Sequence, residues 1–251
     1  MDSALLKRLT GSHSKSPSEF QHLETGTWKI RHHLTYQRLL YHHHILTRGD
    51  EETIKKIYFK QKEDSVRGDW YKLLEADFKF LEIELNEDEI CHTPKNIYKV
   101  KIKDLISKAA FKHFLTIKET HSKLNDLSYS ELKVQPYLTS NMITNEQKQL
   151  LYKLRSKCHE SKMNFRKMHK NNLKCVFGCS QDEDQKHAFL YCWPIVSKIK
   201  NHHVTQYNNL FGTLQEQEKT IQIFSQIQKM RKDTLLLNCT DKTLPEGLTF
   251  I

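Results

Sequence analysis

One segment indicates the fold class most directly: Ile102-Lys-Asp-Leu-Ile-Ser-Lys-Ala-Ala-Phe-Lys-His-Phe-Leu-Thr-Ile117. Apolar residues recur in it every three or four positions: Ile102, Leu105, Ile106, Ala109, Ala110, Phe114 and Ile117. Lysines fall on the other face: Lys101, Lys103, Lys108, Lys112 and Lys118. This spacing predicts an amphipathic α-helix with a buried apolar face.

The sequence before this segment predicts three further helices. The first runs over about residues 29–46, and its predicted buried face contains Ile30, Leu34, Gln37, Leu40, Tyr41, His44 and Ile45. The second covers 51–60, and the third begins after a potential N-cap, Asp69, with Trp70, Leu73, Leu74, Asp77 and Leu81 on one face. The acidic residues 86–89 predict a turn, and residues 1–20 predict an arm without regular structure.

The sequence after this segment predicts two more helices. Pro136 favours an extended backbone before it, which suggests a domain boundary between 124 and 141. Thr144 and Gln147 have the spacing of a capping box, and Leu150, Leu151, Leu154 and Cys158 continue the apolar face of that helix. The last predicted helix covers 214–231, with Ile221, Phe224, Ile227 and Gln228 on one side.

Composition and charge agree with a helical protein that binds a polyanion. Glycine and proline are scarce, at 7 and 5 of 251 residues, which disfavours a turn-rich β fold. The formal charge of +10 and the pI near 9.2 favour a nucleic-acid partner, although an acidic membrane surface would fit the charge alone. Residues 1–18 lack a signal-peptide core, and no apolar run reaches the length of a membrane span. We therefore expect an intracellular protein without a membrane partner.

A metal site is the strongest chemical signal. Cys175 and Cys179 are separated by Val-Phe-Gly, and His187 and Cys192 follow at short spacing. In a reducing compartment such cysteines indicate metal binding rather than a disulfide framework. Four thiol and imidazole donors suit a closed structural Zn²⁺ site, and the polar loop 180–186 can extend into water, so that the ligands alone fix this fold. The alternative is ordinary cysteine packing beside a surface histidine.

Other cysteines and histidines are interpreted as structural. Cys91, Cys158 and Cys239 have no ligand spacing. The consecutive histidines at 32–33 and 42–44 point in different directions on a helix and cannot converge on one ion.

A basic segment leads into the cysteines. The predicted nucleic-acid-binding residues are Lys148, Arg155, Lys157, Lys162, Arg166, Lys167, Lys170 and Lys174. Four aromatic residues lie among the metal ligands: Phe177, Phe189, Tyr191 and Trp193. Exposed aromatics could stack on bases, but packing around the loop is the other interpretation of each.

Several motifs resemble the carboxy-terminal region of non-LTR retrotransposon reverse transcriptases. Leu23-Glu-Thr-Gly26, the run Ile30–Tyr41, Gly68-Asp-Trp-Tyr-Lys-Leu-Leu74 with Asp77-Phe78, and Ala109-Ala-Phe111 are similar to the thumb. Leu150-Leu-Tyr-Lys-Leu-Arg155, Asn164-Phe165 and the cysteine segment are similar to the connector and zinc knuckle.

The resemblance implies that the thumb holds template and primer while the connector and knuckle bind RNA and target DNA, and that Cys175, Cys179, His187 and Cys192 are the zinc ligands. It also implies a nuclear location. Polymerisation needs carboxylates that hold two metal ions, but the sequence contains no Asp-Asp pair, and the tail beyond Pro194 has no nuclease-like arrangement around Asp233 or Asp241. We therefore expect no enzyme activity and no small-molecule substrate.

The predicted organisation is all-α. It comprises an arm (1–20), a thumb-like helical region (21–125), a basic connector (126–172), a CCHC zinc knuckle (173–195) and a carboxy-terminal helix and tail (196–251). The predicted function is RNA or DNA binding. The alternatives are an accessory chain that complements a reverse transcriptase in trans, a zinc-dependent protein-interaction module, and a decayed reading frame.

Overall fold

A computed structural model of the chain describes residues 3–11, 16–64, 69–159, 161, 173–199 and 210–240. This described part is mostly helical, as the sequence predicts. Its β pairing is limited to two isolated bridges, Thr25 with Val134 and Lys174 with Asp182. Within the same residues, no helix combines the length and the apolar character needed to cross a membrane.

The helices have the following bounds: α1 Ser3–Leu9, α2 Ser18–Thr25, α3 Ile30–Leu46, α4 Thr53–Asp64, α5 Trp70–Leu81, α6 Glu87–His92, α7 Lys95–Thr120, α8 Pro136–Thr139, α9 Asn145–Arg155, α10 Trp193–Val196 and α11 Leu214–Thr240. A 3-10 turn covers Ser122–Leu124, and a π-helical turn covers His187–Tyr191.

The chain divides into two compact units. The first contains Met1–Leu6, Ser18–Thr120 and Tyr129–Gln135, and the second contains Lys7–Pro17, His121–Ser128 and Pro136–Ile251. The finer predicted boundaries at 20/21, 125/126, 172/173 and 195/196 stay predictions.

In the first unit, α7 buries the predicted face. Tyr98, Ile102, Ile106, Ala110 and Phe114 are all buried, four residues apart along the helix. This spacing keeps them on one side of the helix, where they pack against α2 and α3.

The predicted buried face of α3 is confirmed at Ile45, which is buried, but it is wrong over most of the helix. Ile30 and Leu34 are 64% and 55% exposed, whereas His32, Thr35 and His42 are buried. Aromatic contacts explain the difference. His32 stacks on Phe80 with ring centroids 5.6 Å apart, and His42 lies 3.1 Å from the hydroxyl of Tyr58. The spacing of apolar residues could not identify this face, because buried histidine rings supply much of its packing surface.

Three helices appear at segments for which the sequence predicted no helix. Residues 1–20, predicted to be an arm without regular structure, contain α1 and the start of α2, and Phe20 and Leu23 of α2 are fully buried. The predicted acidic turn at 86–89 begins α6. Asn86 Oδ1 accepts a hydrogen bond from the Glu89 N–H (3.1 Å), so the side chain caps this helix. The acidic first turn also suits the positive end of the helix dipole.

The second unit confirms the predicted capping box. Thr144 Oγ1 accepts from the Gln147 N–H (3.3 Å), and Gln147 Oε1 accepts from the Thr144 N–H (2.9 Å). Helix α9 ends at Arg155, and Lys157 takes a left-handed backbone conformation, with φ of 50°. Cys158 is therefore buried beyond the helix rather than on its face, which corrects the prediction. Asp69 occupies the N-cap position of α5, but its side chain makes no capping hydrogen bond.

Candidate metal centre

The first two candidate ligands lie on a short, hydrogen-bonded loop. The Cys175 N–H donates to the Gln181 carbonyl (3.0 Å), and the Glu183 N–H donates to the Leu173 carbonyl (2.8 Å). The Gly178 N–H closes a turn on the Cys175 carbonyl (3.2 Å). Gly178 has φ of 86°, a conformation that glycine adopts without a Cβ penalty. The tight turn thereby brings Cys179 back toward Cys175.

The other two candidate ligands lie at the two ends of the π-helical turn. Asp184 Oδ1 accepts a hydrogen bond from the His187 N–H (2.6 Å), so the Asp184 side chain caps the start of the turn. The Cys192 N–H donates to the His187 carbonyl (2.8 Å). This i→i+5 hydrogen bond, the π-helical pattern, holds His187 and Cys192 one turn apart on the same side of the segment.

The four ligand atoms have the spacing of a tetrahedral metal site. The donor atoms of Cys175, Cys179, His187 and Cys192 all lie within 4.8 Å of one another. The Cys192 Sγ is 3.7 Å from the Sγ atoms of Cys175 and of Cys179. Two sulfur ligands of a tetrahedral zinc, each bonded at about 2.3 Å, lie about 3.8 Å apart. These four residues could therefore hold a metal ion, and their spacing is compatible with zinc.

The His187 ring is oriented for coordination. Its Nδ1 lies 2.7 Å from Oε1 of Gln181, an acceptor that favours the proton on Nδ1. Nε2 then keeps its lone pair. This atom is buried and has no hydrogen-bond partner within the described part of the chain. A metal ion would satisfy Nε2, and a ring nitrogen that donates to a fixed acceptor is the usual arrangement behind a metal-bound histidine.

The thiols influence one another strongly. A hydrogen bond from the Cys192 thiol lowers the pKa of Cys175 to about 5, although burial opposes this shift. The same bond, together with burial, raises the pKa of Cys192, and burial raises that of Cys179. Negative charge on one sulfur therefore disfavours it on the other two. A divalent cation would remove this conflict, because thiolates are the metal-binding form of cysteine.

The loop between the cysteine pair and the histidine is anchored to α11. Most of residues 180–186 are exposed, as predicted, but Glu183 and Gln185 are buried, which corrects the prediction that the whole loop extends into water. Arg231 of α11 donates from Nε to Oε1 of Glu183 (2.5 Å). Phe189 stacks on Phe224 of the same helix, with ring centroids 5.6 Å apart. The prediction that the ligands alone fix this segment is therefore also wrong.

One predicted nucleic-acid contact is incompatible with the structure. Arg155 is only 2% exposed. Its guanidinium carbon lies 5.5 Å from the Tyr137 ring centroid and 5.4 Å from that of Phe211. A guanidinium held between two aromatic rings contributes to packing and cation–π attraction, and in this position it cannot reach a phosphate.

The other predicted contacts differ in how the structure describes them. Lys148 is half-buried on α9, and Lys157 forms an ion pair with Asp126 (2.6 Å). Lys174 is well exposed and lies 3.3 Å from Asp182. The remaining four, Lys162, Arg166, Lys167 and Lys170, lie outside the described residues. The structure does not test whether any of these residues contacts nucleic acid.

The aromatic residues near the ligands separate into two classes. Phe189 is fully buried and Phe177 is half-buried. Tyr191 and Trp193, on either side of the ligand Cys192, are 62% and 74% exposed. The Phe189 ring is therefore part of the packed interior, whereas the side chains of Tyr191 and Trp193 are exposed to solvent.

Sequence reasoning missed three residues that support the site. Asp184 could have been recognised, because an aspartate immediately before a helical segment, with its carboxylate accepting from the N–H three positions later, is a common N-cap pattern. Gln181 and Arg231 carry no comparable signal in the sequence. Their roles depend on a ring nitrogen and a carboxylate that only the folded chain brings within reach.

Comparisons with known proteins do not assign a family. No family model and no solved structure matches the chain. The chain is similar to a GTP cyclohydrolase 1 of Wigglesworthia glossinidia brevipalpis, with 32% identity over 96 residues. The matched region is 38% of this chain, and the chain spans 44% of the length of that protein.

Proposed function

We propose that the chain is a zinc-dependent nucleic-acid-binding module from the carboxy-terminal region of a non-LTR retrotransposon reverse transcriptase, without a polymerase or nuclease site of its own. The observation that carries the proposal is the set of four converging ligands, Cys175, Cys179, His187 and Cys192. The resemblance of the thumb, connector and knuckle motifs supports the assignment to these transposable elements.

The ligand set supports zinc in a structural role. Three thiolates and one imidazole are soft or borderline donors, which favour zinc over magnesium or calcium. When bound, the ion would supply a cross-link between the loop that carries Cys175 and Cys179 and the turn that carries His187 and Cys192. Four protein ligands leave no coordination position for water or substrate.

Charge supports a nucleic-acid partner. The chain has a formal charge of +10, and its sequence is rich in Lys and Arg between residues 148 and 174, immediately before the first ligand. Cations at this density bind phosphates by releasing condensed counterions, with little dependence on base sequence. A small-molecule substrate would not require such a distribution.

The similarity to a GTP cyclohydrolase 1 suggests a second candidate function, an enzyme that acts on GTP. The ligand set does not favour this candidate, because a hydrolytic zinc keeps one position open. We therefore propose binding rather than catalysis.

Two related candidates concern the partner. The chain could complement a separate reverse transcriptase chain, in which case mixing the two would restore polymerase activity. It could instead bind a protein through the knuckle. Salt dependence distinguishes protein from phosphate contacts, because each neutralised phosphate adds about −0.7 to −0.9 to the slope of log affinity against log salt.

The test combines metal content with nucleic-acid affinity. We would measure zinc per purified chain, and affinity for single-stranded RNA and duplex DNA over a salt series. Wild type would be compared with Cys179→Ser plus Cys192→Ser, and Cys91→Ser serves as a matched control, since Cys91 lies outside the ligand set. We expect one zinc per chain and salt-sensitive binding, both lost in the ligand variant alone. Absence of metal, or binding that survives the ligand substitutions, would overturn the proposal.

A further inference from the structure

Two exposed aromatic side chains bracket a buried metal ligand. Tyr191 is 62% exposed, Cys192 is fully buried, and Trp193 is 74% exposed. Exposure of this size is unusual for such large rings, which elsewhere in the described chain are mostly packed. We name this pair of side chains the aromatic platform.

The two rings belong to different helical elements on either side of Cys192. Cys192 has φ of −77° and ψ of 93°, an extended conformation. Tyr191 is the last residue of the π-helical turn, and Trp193 is the first residue of α10. The buried Cys192 therefore lies between two exposed rings, each at the end of a helical element.

The platform also sits on a constrained backbone. Trp193 is the first residue of α10, and Pro194 follows it within the first turn. The Trp193 carbonyl accepts hydrogen bonds from the N–H and the hydroxyl of Ser197, at 3.0 and 2.7 Å. Aromatic side chains on a fixed backbone lose little conformational entropy when they bind a flat ligand.

Cations lie near the platform along the chain. Lys186 precedes Tyr191 by five residues and lies 3.9 Å from Asp126, Lys198 follows Trp193 by five, and both lysines are exposed. Lys174, on the adjacent loop, is also exposed, but it lies 3.3 Å from Asp182. Exposed rings combined with lysines are complementary to a ligand that offers flat apolar faces and negative charge together. Unpaired nucleotides have this chemistry.

We propose that Tyr191 and Trp193 stack on unpaired bases, and that they give the knuckle a preference for single-stranded over duplex nucleic acid. This inference rests on the proposed function and specifies its ligand. In a duplex, the base faces are already covered by neighbouring bases, so the platform can stack only on bases that are unpaired. Phosphate contacts by lysines would remain with either ligand.

The experiment uses the full zinc-loaded chain with an unstructured oligonucleotide of mixed sequence and a blunt duplex of equal length. Trp193→Ala and Tyr191→Ala are compared with wild type. Trp193→Phe retains a stacking ring, and Tyr41→Ala removes an exposed aromatic from the other unit as a control. We would measure both affinities at one salt concentration, zinc content, and quenching of tryptophan fluorescence on binding.

We expect Trp193→Ala to weaken single-strand binding by between about 5-fold and about 150-fold, as for the loss of one base–aromatic stack, and Tyr191→Ala to act in the same direction. Duplex affinity, salt dependence and zinc content should stay unchanged. Trp193→Phe should keep most of the affinity but lose the fluorescence quenching, and Tyr41→Ala should bind like wild type.

The outcomes separate this inference from the proposed function. Zinc-dependent, salt-sensitive binding that is equal in wild type, Trp193→Ala and Tyr191→Ala would overturn the stacking inference and leave the proposed function standing. A wild-type preference for the duplex would do the same. Failure of the zinc-loaded wild type to bind either nucleic acid would overturn both, and would favour a protein ligand for the aromatic platform.

Discussion

Arg231 and Glu183 form a buried ion pair in which Arg231 Nε donates to Glu183 Oε1 over 2.5 Å. The side chains are 13% and 6% exposed, so most of the pair is removed from water. Arg231 belongs to α11, and Glu183 lies between the candidate ligands Cys179 and His187. The loop between these two candidate ligands is therefore attached to the long carboxy-terminal helix by an interaction between side chains that needs no metal ion.

Arg231→Met should destabilise the second unit strongly. The substitution keeps an unbranched apolar stem but leaves the buried Glu183 carboxylate without this cationic partner. Loss of one member of a buried pair costs about 3 to 5 kcal/mol, because the remaining charge stays desolvated. We expect faster hydrogen exchange of the α11 backbone amides in zinc-loaded protein, by an amount that corresponds to this free energy.

The matched control is Lys232→Met, which removes an exposed cation from the next position of α11. Adding Glu183→Gln to Arg231→Met should recover part of the loss, because no buried charge then remains. Equal exchange rates in Arg231→Met and Lys232→Met would show that the ion pair does not hold the loop.

Gln181→Leu should weaken metal binding without removing a ligand. Gln181 Oε1 is the acceptor 2.7 Å from His187 Nδ1, and leucine has a similar volume but no acceptor. Loss of such a supporting hydrogen bond typically lowers metal affinity about 10- to 100-fold, because the ring and its tautomer are no longer fixed. Competition with a chromophoric zinc chelator would measure the change. Ser180→Ala, at the neighbouring exposed position, should bind zinc like wild type, and an unchanged affinity in Gln181→Leu would exclude this positioning role.

The fold could be predicted from sequence where one local rule governed it. Helix α7 has a regular apolar spacing, and Thr144 and Gln147 form hydrogen bonds with each other's backbone N–H at the start of α9. Neither feature depends on distant parts of the chain. The grouping of Cys175, Cys179, His187 and Cys192 was likewise visible, because metal-binding spacings are local. None of these features depends on tertiary contacts.

Prediction failed where distant residues determine what is buried. Arg155 reads as a surface cation, but the rings of Tyr137 and Phe211 provide a buried site for its guanidinium. Glu183 reads as part of a solvated loop, but Arg231, 48 positions later, pairs with it. Hydropathy describes each residue in isolation, whereas burial of a charge depends on its partner.

The buried histidines of the first unit should make its stability depend on pH. Burial lowers the pKa of His32 to about 3, and those of His22 and His42 to about 4, from an ordinary value of 6.5. Between pH 6.5 and these values, the unfolded chain binds protons that the folded chain does not. The contribution of these neutral histidines to the free energy of unfolding is therefore complete above pH 6.5. It falls as the pH decreases, by up to about 1.4 kcal/mol per pH unit for each histidine.

His32→Phe should reduce this dependence. Phenylalanine can keep the stacking on Phe80 and the edge contact with Phe114, but it cannot bind a proton. We expect the difference in unfolding free energy between pH 7 and pH 5 to shrink by about 1 to 2 kcal/mol. In this variant the Arg31 Nε–H also loses its acceptor on His32 Nε2, which changes the unfolding free energy at every pH. The quantity to compare is therefore the change in unfolding free energy between pH 7 and pH 5, not its value at pH 7.

The measurement is denaturant unfolding in a Trp193→Phe background, where the remaining tryptophans, Trp28 and Trp70, both report on the first unit. His92→Phe, at an exposed position, should keep the wild-type dependence. A His32→Phe protein that loses as much stability as wild type between pH 7 and pH 5 would show that the His32 ring does not stay neutral in the folded core.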